Sequence, residues 1–219
     1  MDIKIIVNEL KEALKPYNFI QKGTSRIFYY DCGWYLILAE VIQMKTRSGI
    51  KTTVITGLNF MWDNSFSFSI REDAYSDVSN YSLDDFSQLI KEDICKWIDS
   101  KKEYFLKTYE NPLNMLPYLK KHHDIHHQPH GYIISRIFND KTETKYFEND
   151  VVHLLKEYND NHSIYFLPSD YRGEKEFREL EAFVNAMIKM NDNEFVAEIN
   201  ERINEKRKKL KLKLSEKYL

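Results

Sequence analysis

Histidine forms the densest group of chemically reactive side chains in this sequence. Five of the seven histidines fall within nine residues: His122, His123, His126, His127 and His130. If this stretch is helical, two pairs of them are four residues apart, and imidazoles at that spacing share one helix face, as a divalent metal requires. Asp124 could add an oxygen ligand or orient one of the rings. These five histidines are therefore the candidate metal ligands of the chain.

A polar helix end is the alternative interpretation of the same segment. The histidine spacing matches no known zinc motif, H-E-x-x-H is absent, and the two cysteines are too few for a structural zinc site. Pro129 and Gly131 would end or fray a helix here, which would leave the imidazoles facing solvent and the last helix carbonyls. Both interpretations stay open, and apart from this metal hypothesis we expect no cofactor.

Scarce glycine excludes several classes of enzyme. The chain has 6 glycines among 219 residues, and no two of them are closer than eight residues, whereas average composition predicts roughly 15. A dinucleotide-binding G-x-G-x-x-G loop, a phosphate-binding P-loop and a G-x-S-x-G nucleophile elbow are therefore impossible. No serine or cysteine stands in a recognisable nucleophile context, so we assign no catalytic residue and favour a function without catalysis.

Charge is distributed unevenly along the chain. The net charge is −2, but residues 201–219 contain eight basic and three acidic side chains, a net of +5 that leaves −7 for residues 1–200. This basic tail predicts contact with an acidic protein, nucleic acid or an anionic membrane surface through Lys208, Lys209 and Lys211. Elsewhere the near-neutral balance argues against nucleic acid as a partner. The alternative is a solvated terminal helix that frays.

Hydroxyl and aromatic side chains on the predicted strands form a second candidate surface. Ser65, Ser67 and Ser69 alternate with apolar residues, so they would lie on the opposite strand face from the core. Tyr29 and Tyr35 supply large rings with few rotatable bonds, which are favoured at protein interfaces. We interpret these five residues as a protein-binding face, with plain core packing as the alternative.

Hydrophobic periodicity indicates the elements that position these residues. An apolar stripe predicts a helix over residues 2–15, which Pro16 ends. Four stretches with strand character follow, at residues 26–30, 34–44, 53–62 and 65–71. Helical stripes dominate from the predicted N-cap Ser82 onward, and short strands could interrupt them at 132–138 and 163–167.

These elements predict an α+β fold, with an N-terminal helix and an antiparallel β-meander of about four strands followed by a mainly helical C-terminal half. Asp63 and Asn64 fit a two-residue hairpin loop. Glu40 interrupts an apolar strand, so we expect it at an edge or sheet end that faces water. The predicted organisation is an α+β domain at 1–110, a connector rich in proline and histidine at 111–131, and a mainly helical region at 132–219 that could pack on the first domain.

The first half of the chain resembles a known bacterial family. Three segments carry the likeness: residues 14–23, 34–43, and 57–62 leading into 66–68. They are similar to the uncharacterised family called domain of unknown function 4304, in which a glycine commonly stands where this chain has Asn18. The resemblance spans residues 5–110 and implies a small domain with a helix packed on an antiparallel sheet. It implies no catalytic residues.

Protein binding is the function that these observations favour. We expect a non-enzymatic bacterial module, of a binding or immunity type, with a protein partner. The N-terminus lacks a signal peptide, no apolar window could span a membrane, and two cysteines form no disulfide framework, so we expect a cytoplasmic location. The alternatives are a metal-binding protein that uses the histidine cluster, or weak contact of the basic tail with nucleic acid or another anionic surface.

Overall fold

The chain divides into two compact units. The computed structural model describes residues 3–47, 49–63, 68–75, 88–161 and 171–215. Unit 1 comprises residues 1–110 together with 202–218, and unit 2 comprises residues 111–201. The basic tail, which follows the helical region in sequence, is therefore part of the same unit as the N-terminal sheet. None of the described helices combines the length and apolar composition that a membrane span requires.

Unit 1 is built on an antiparallel sheet. Its elements are helix α1 (Ile3–Leu14), a 3-10 turn (Lys15–Tyr17), strands β1 (Ile20–Gln21), β2 (Ile27–Asp31), β3 (Tyr35–Thr46), β4 (Gly49–Phe60) and β5 (Ile70–Tyr75), a π-helical turn (Ile90–Ile94) and helix α2 (Cys95–Thr108). Among the described residues the strand order is β1-β2-β3-β4-β5, with each strand antiparallel to the next. The predicted helix-plus-meander fold is confirmed, with one more strand than expected because the short β1 pairs with β2.

Strand β3 lies at the centre of this sheet and is covered on both faces. Leu36, Ile37, Leu38 and Ala39 are consecutive residues that point alternately to opposite faces, and all four are buried. Helix α1 buries the predicted apolar stripe from Ile6 to Leu14, whereas Ile3, the first residue of that stripe, is half-buried. An unbroken apolar run such as residues 36–39 is buried only if other residues pack on both faces of the sheet. A helix layer on one face alone does not account for this burial.

Strands β4 and β5 are antiparallel neighbours, as the predicted hairpin requires, but the predicted two-residue loop is wrong, because β4 ends at Phe60 and β5 begins at Ile70. Leu58 pairs with Ile70, whereas a loop of residues 63–64 would pair it with Ser69, and a bulge follows between Ile55 and Gly57. A Cβ atom at Gly57 would lie 2.2 Å from the Ile70 carbonyl oxygen, so only glycine permits this close approach of the strands. Strand β5 begins at Ile70, later than predicted, and Asn64 of the predicted loop lies outside the described residues.

The described part of unit 2 consists of helices and the turns that connect them, without a strand. It contains a 3-10 turn (Pro112–Met115), helices α3 (Leu116–Lys121), α4 (Gln128–Ile137), α5 (Lys141–Asp160) and α6 (Tyr171–Lys189), and the first half of helix α7 (Asp192–Leu210), whose second half belongs to unit 1. The segment 111–131, predicted as a connector, thus contributes helices with buried side chains. The predicted strand at 163–167 and the predicted N-cap Ser82 lie outside the described residues.

The predicted strand at 132–138 is wrong, because these residues belong to helix α4. Eight consecutive residues of this helix, from Gln128 to Ser135, are buried. A helix buried on all sides lacks the polar face that would reveal its period, so its apolar run imitates a strand. Gly131 permits this burial, since a Cβ atom there would lie 2.2 Å from the ring of Phe147 in α5.

Three helical segments end in a left-handed residue that is not glycine. Asn18, Asn139 and Lys211 have φ angles of 62°, 58° and 58°. Each donates its N–H to the carbonyl three residues earlier, and the following residue donates to the carbonyl five residues back, which is the Schellman pattern. Glycine usually takes this position because it has no Cβ. At these three helix ends, asparagine or lysine thus takes the left-handed position that glycine usually occupies.

Candidate functional site

The histidine segment, residues 122–130, forms the turn between two helices and the start of the second helix. Helix α3 ends at Lys121 and α4 begins at Gln128, so the intervening histidines are not helical. The prediction that pairs four residues apart share one helix face required a helix here and is wrong on that point. Helix α3 stops early because the backbone of the segment turns through Asp124, whose carboxylate accepts hydrogen bonds from the N–H groups of His126 and His127.

Two of the histidines contact carboxylates in separate places. His123 Nδ1 lies 2.8 Å from Asp150 Oδ2 on helix α5, and His127 Nδ1 lies 2.7 Å from Asp124 Oδ2. Burial acts to raise the pKa of Asp124, but the hydrogen bonds from His127 and from the two backbone N–H groups outweigh it and lower the pKa. The Asp124 carboxylate is therefore the centre of the turn, and its lone pairs are occupied by donors of the segment itself.

The remaining rings of the segment do not converge on these carboxylates. His122 stacks on His127, with ring centroids 5.1 Å apart, and also contacts Tyr118, whose ring is tilted and has its centroid 4.3 Å away. His126 is exposed, whereas His130 is buried in helix α4. Within the part of the chain that the structure describes, no group of three or more His, Cys, Asp or Glu side chains is arranged to bind a metal ion. The metal site thus stays a prediction without a converging set of ligands.

Gln128, rather than a histidine, connects the segment to the core. Its side chain is fully buried, and Nε2 donates to the carbonyl oxygens of Leu119 at 2.9 Å and His122 at 3.2 Å. These carbonyls belong to the last turn of α3, where the helix itself offers no donors. The amide thus links the end of α3 to the start of α4. The sequence analysis did not single out this residue.

The second region is the C-terminal basic segment, residues 206–213. Its first two side chains are buried: Lys206 and Arg207 are 7% and 5% exposed. Arg207 donates from both terminal nitrogens to the two carboxylate oxygens of Asp31, each at 2.7 Å, and also to the Gly33 carbonyl at 2.9 Å. Such bidentate pairs are the strongest type of ion pair in proteins. Arg207 therefore ties the last turn of α7 to the β2–β3 turn.

Lys206 contacts the neighbouring β4–β5 turn. Its ammonium group donates to Asn59 Oδ1, to the Phe60 carbonyl at 3.0 Å and to the Asp63 carbonyl at 2.6 Å. Burial lowers the pKa of Lys206 to about 8, although the charge of Asp63 acts in the opposite direction. Its three N–H donors face three oxygen acceptors, so the geometry indicates a structural role and not a nucleophile.

The remaining lysines of the segment are exposed on a fixed backbone. Lys208, Lys209, Lys211 and Lys213 are exposed, as the prediction of a partner-binding tail requires. Arg207 Nε donates to the Lys213 carbonyl at 2.6 Å, and Asn204 Nδ2 donates to the Ser215 carbonyl at 2.9 Å. Side chains of α7 thus bind the chain that follows the helix as far as Ser215, and a solvated helix end that frays stays the alternative interpretation.

The sequence contains a signal for the two buried cations. Phe195, Ile199 and Ile203 form the buried stripe of α7, at a spacing of four residues. Lys206 and Arg207 stand three and four positions after Ile203, so they continue the same helix face. The helical period, continued beyond Ile203, predicts that Lys206 and Arg207 are buried. A count of charges over residues 201–219 does not distinguish these two residues from the exposed lysines.

The predicted aromatic and serine face lies largely inside unit 1. Tyr29, Tyr35 and Ser69 are buried, and Ser69 Oγ accepts a hydrogen bond from the Phe60 N–H. The expectation that these three residues form an exposed binding face is therefore corrected, because their strand faces are covered. Ser65 and Ser67 lie outside the described residues.

Glu40 lies in the interior of the sheet and not at an edge or sheet end. It pairs with Ile27 of β2 on one side and with Ile55 of β4 on the other. Burial raises the pKa of Glu40, while the charges of Arg71, Arg26 and Lys22 oppose that rise. Three cations around a half-buried carboxylate explain how a charge is accommodated on a central strand.

Comparison with protein-family models, curated proteins and solved structures gives no match for this chain. The resemblance to domain of unknown function 4304 stays a prediction, and the function is argued from geometry.

Proposed function

We propose that the protein is a binding module without catalysis of its own, and that its C-terminal basic segment binds an acidic protein surface. The observation that carries the proposal is the anchoring of this segment by Arg207, which binds Asp31 on one side and the Lys213 carbonyl on the other. Lysines on an ordered backbone lose less conformational entropy on binding than lysines on a free tail. Some compact bacterial proteins of this kind are suspected of acting as binding or immunity-type modules, which agrees with this role.

The positive charge of unit 1 is concentrated at the C-terminal end. Residues 202–218 have eight lysines and arginines against two glutamates, a net of +6, whereas residues 1–110 have 14 against 16 aspartates and glutamates, a net of −2. Lys206 and Arg207 are buried at the base of the segment, so the exposed charge of the segment lies on the four lysines that follow Arg207. Complementary charge raises the association rate and excludes partners of like charge.

The leucines of the segment favour a protein over nucleic acid. Leu212 is half-buried and Leu214 is exposed, and both alternate with lysines in the chain that follows α7. Residues 212–215 are neither helix nor strand, so no regular element carries these leucines into a groove to the apolar edges of bases. An acidic protein surface with apolar residues matches both components. The partner we propose therefore presents carboxylates next to apolar side chains.

Affinity capture with matched charge-reversal variants tests this function. The immobilised protein is incubated with a nuclease-treated bacterial lysate, and retained proteins are identified by mass spectrometry after elution with salt. The test variant is Lys208→Glu/Lys209→Glu/Lys211→Glu, and the control is Lys11→Glu/Lys96→Glu/Lys107→Glu, three exposed lysines elsewhere in unit 1. We expect the control to retain acidic proteins that the test variant loses. Equal retention by both variants would contradict the proposal.

A further inference from the structure

Among the residues that the structure describes, the end of the β3–β4 hairpin extends past the other strands of the sheet. The two strands pair from Tyr35 with Phe60 to Thr46 with Gly49. On the outer sides, however, β2 pairs with β3 only as far as Glu40, and β5 pairs with β4 only as far as Val54. Among the described residues, no further strand flanks the two strands beyond these pairs. We call residues 44–51 the basic hairpin.

The basic hairpin combines positive charge with exposed apolar side chains. Lys45, Arg47 and Lys51 are exposed, and residues 41–53 contain no aspartate or glutamate. Met44 and Ile50 are 47% and 55% exposed, which makes them two of the most exposed large apolar side chains in the described structure. Exposed apolar side chains next to like charges indicate an interaction surface and not a stabilising element of the sheet.

The register distributes these groups over both faces of the ribbon. Met44 pairs with Lys51 and Lys45 pairs with Ile50, so each pair lies on one face and the next pair lies on the opposite face. Each face thus presents one lysine and one apolar side chain, and Arg47 lies at the turn. A flat partner such as a membrane or a protein surface contacts only one face of a ribbon. A groove contacts both faces and the turn.

We propose that the basic hairpin inserts into the major groove of double-stranded DNA. The three terminal pairs extend for about 10 Å at roughly 3.4 Å per residue, which is close to the groove depth of about 8.5 Å, and a two-stranded ribbon fits its width of about 12 Å. The major groove of an RNA duplex is too narrow for such insertion. The lysines and Arg47 then contact phosphates on the groove walls, and Met44 and Ile50 contact apolar edges such as thymine methyl groups.

This site is separate from the proposed protein-binding segment. The residues that bind Lys206 and Arg207 lie at the end of the sheet where Tyr35 pairs with Phe60. The basic hairpin lies at the other end of the same two strands, roughly 35 Å away by the rise per residue. The inference therefore does not depend on the proposed function, and either can fail without the other.

Fluorescence anisotropy with a labelled 20-base-pair DNA duplex tests the inference on the full chain. The test variant is Lys45→Glu/Arg47→Glu/Lys51→Glu, and the control is Lys11→Glu/Lys96→Glu/Lys107→Glu, three exposed lysines outside both proposed sites, which changes the net charge equally in the same unit. We expect wild type and control to bind within about threefold of each other, with a slope of log K against log salt of about −3 for three phosphate contacts. We expect the test variant to lose binding at 50 mM salt.

A second variant and two comparison ligands keep the test decisive. Lys45→Gln/Lys51→Gln removes two contacts without reversing charge, so we expect a slope less steep by about 2, with an unchanged urea unfolding midpoint as the check on folding. Equal DNA binding by wild type and the first variant would overturn the inference. It would also be overturned if wild type failed to bind the duplex at 50 mM salt, or bound single-stranded DNA or phosphatidylserine vesicles more tightly than the duplex.

Discussion

Two runs of basic side chains, the histidine segment and the C-terminal basic segment, look alike in sequence and differ in structure. In the C-terminal segment the first two cations, Lys206 and Arg207, are buried and bound to turns of the sheet. In the histidine segment the buried contact to the helix end comes from Gln128, and the histidines bind carboxylates one at a time or stack. Residues of the same type within one segment thus have unrelated roles. Which of their side chains is buried depends on the elements that pack against the segment.

The physical difference lies in the helices that precede the two runs. Helix α7 continues through Arg207 to Leu210, so its buried stripe carries Lys206 and Arg207 against the sheet turns of unit 1. Helix α3 ends at Lys121, one residue before the first histidine of its segment. Where a helix continues, its periodicity determines which of the following side chains are buried. Where a helix ends, local hydrogen bonds such as those of Asp124 determine the conformation of the following residues.

Among the substitutions that test this comparison, Arg207→Ala has the largest expected effect on the free energy of unfolding. Arg207→Ala leaves Asp31 and the Gly33 carbonyl without their donor, and we expect the free energy of unfolding to fall by about 3 kcal/mol. The matched control Lys208→Ala removes an exposed neighbour and should change stability by less than about 0.5 kcal/mol. Urea unfolding monitored by tryptophan fluorescence measures both. Equal losses would show that the buried and exposed members of the segment do not differ.

Within the histidine segment, we expect the largest loss of stability from substitution of Gln128, which is not a histidine. Gln128→Met keeps the volume but removes the donor to the Leu119 and His122 carbonyls, so we expect a loss of about 2 kcal/mol. His126→Ala, at an exposed position, should change stability by less than about 0.5 kcal/mol. Urea unfolding of the two variants under the same conditions compares them. A larger loss for His126→Ala would reverse our account of the segment.

We expect the buried Lys206 to make the free energy of unfolding depend on pH. Its pKa is lowered from 10.5 to about 8 in the native state, so both states are protonated below that pH. Between about pH 8 and 10 the unfolded chain binds more protons, and stability should rise by about 1 kcal/mol per pH unit. The difference in unfolding free energy between wild type and Lys206→Met, measured in urea from pH 7 to 10, isolates this contribution. A constant difference would contradict it.

The smallest expected effect is a gain in stability at the end of α7. Lys211 has a φ of 58°, which costs a residue with a Cβ more than it costs glycine. Lys211→Gly should therefore raise the free energy of unfolding by somewhat less than about 1 kcal/mol. Asn139→Gly should raise it by only a few tenths, about 0.3 kcal/mol, because asparagine tolerates this conformation. Thermal unfolding ranks the two, and a loss of stability in Lys211→Gly would contradict the strain argument.

Much of unit 1 could be predicted from local pattern, because alternation and apolar stripes report directly on one buried face. The buried residues of α1 from Ile6 to Leu14 and the antiparallel pairing of β3 with β4 are examples. The strand predicted at 132–138 failed because burial on all sides of α4 removed its period. The exposure of Tyr29 and Tyr35 was mispredicted for a related reason, since amphipathic rings suit both a surface and a core.

By itself the sequence determined the fold class, the absence of glycine-dependent ligand loops and the uneven distribution of charge, because each of these depends on residue type and local spacing. Only the tertiary structure decided which basic residues are structural. Arg207 and Asp31 are 176 residues apart in the chain, and no local pattern can pair them. The same holds for the basic hairpin, whose exposed end follows from where β2 and β5 stop pairing with β3 and β4. Contacts between distant segments, and not composition, separate buried cations from cations available to a partner.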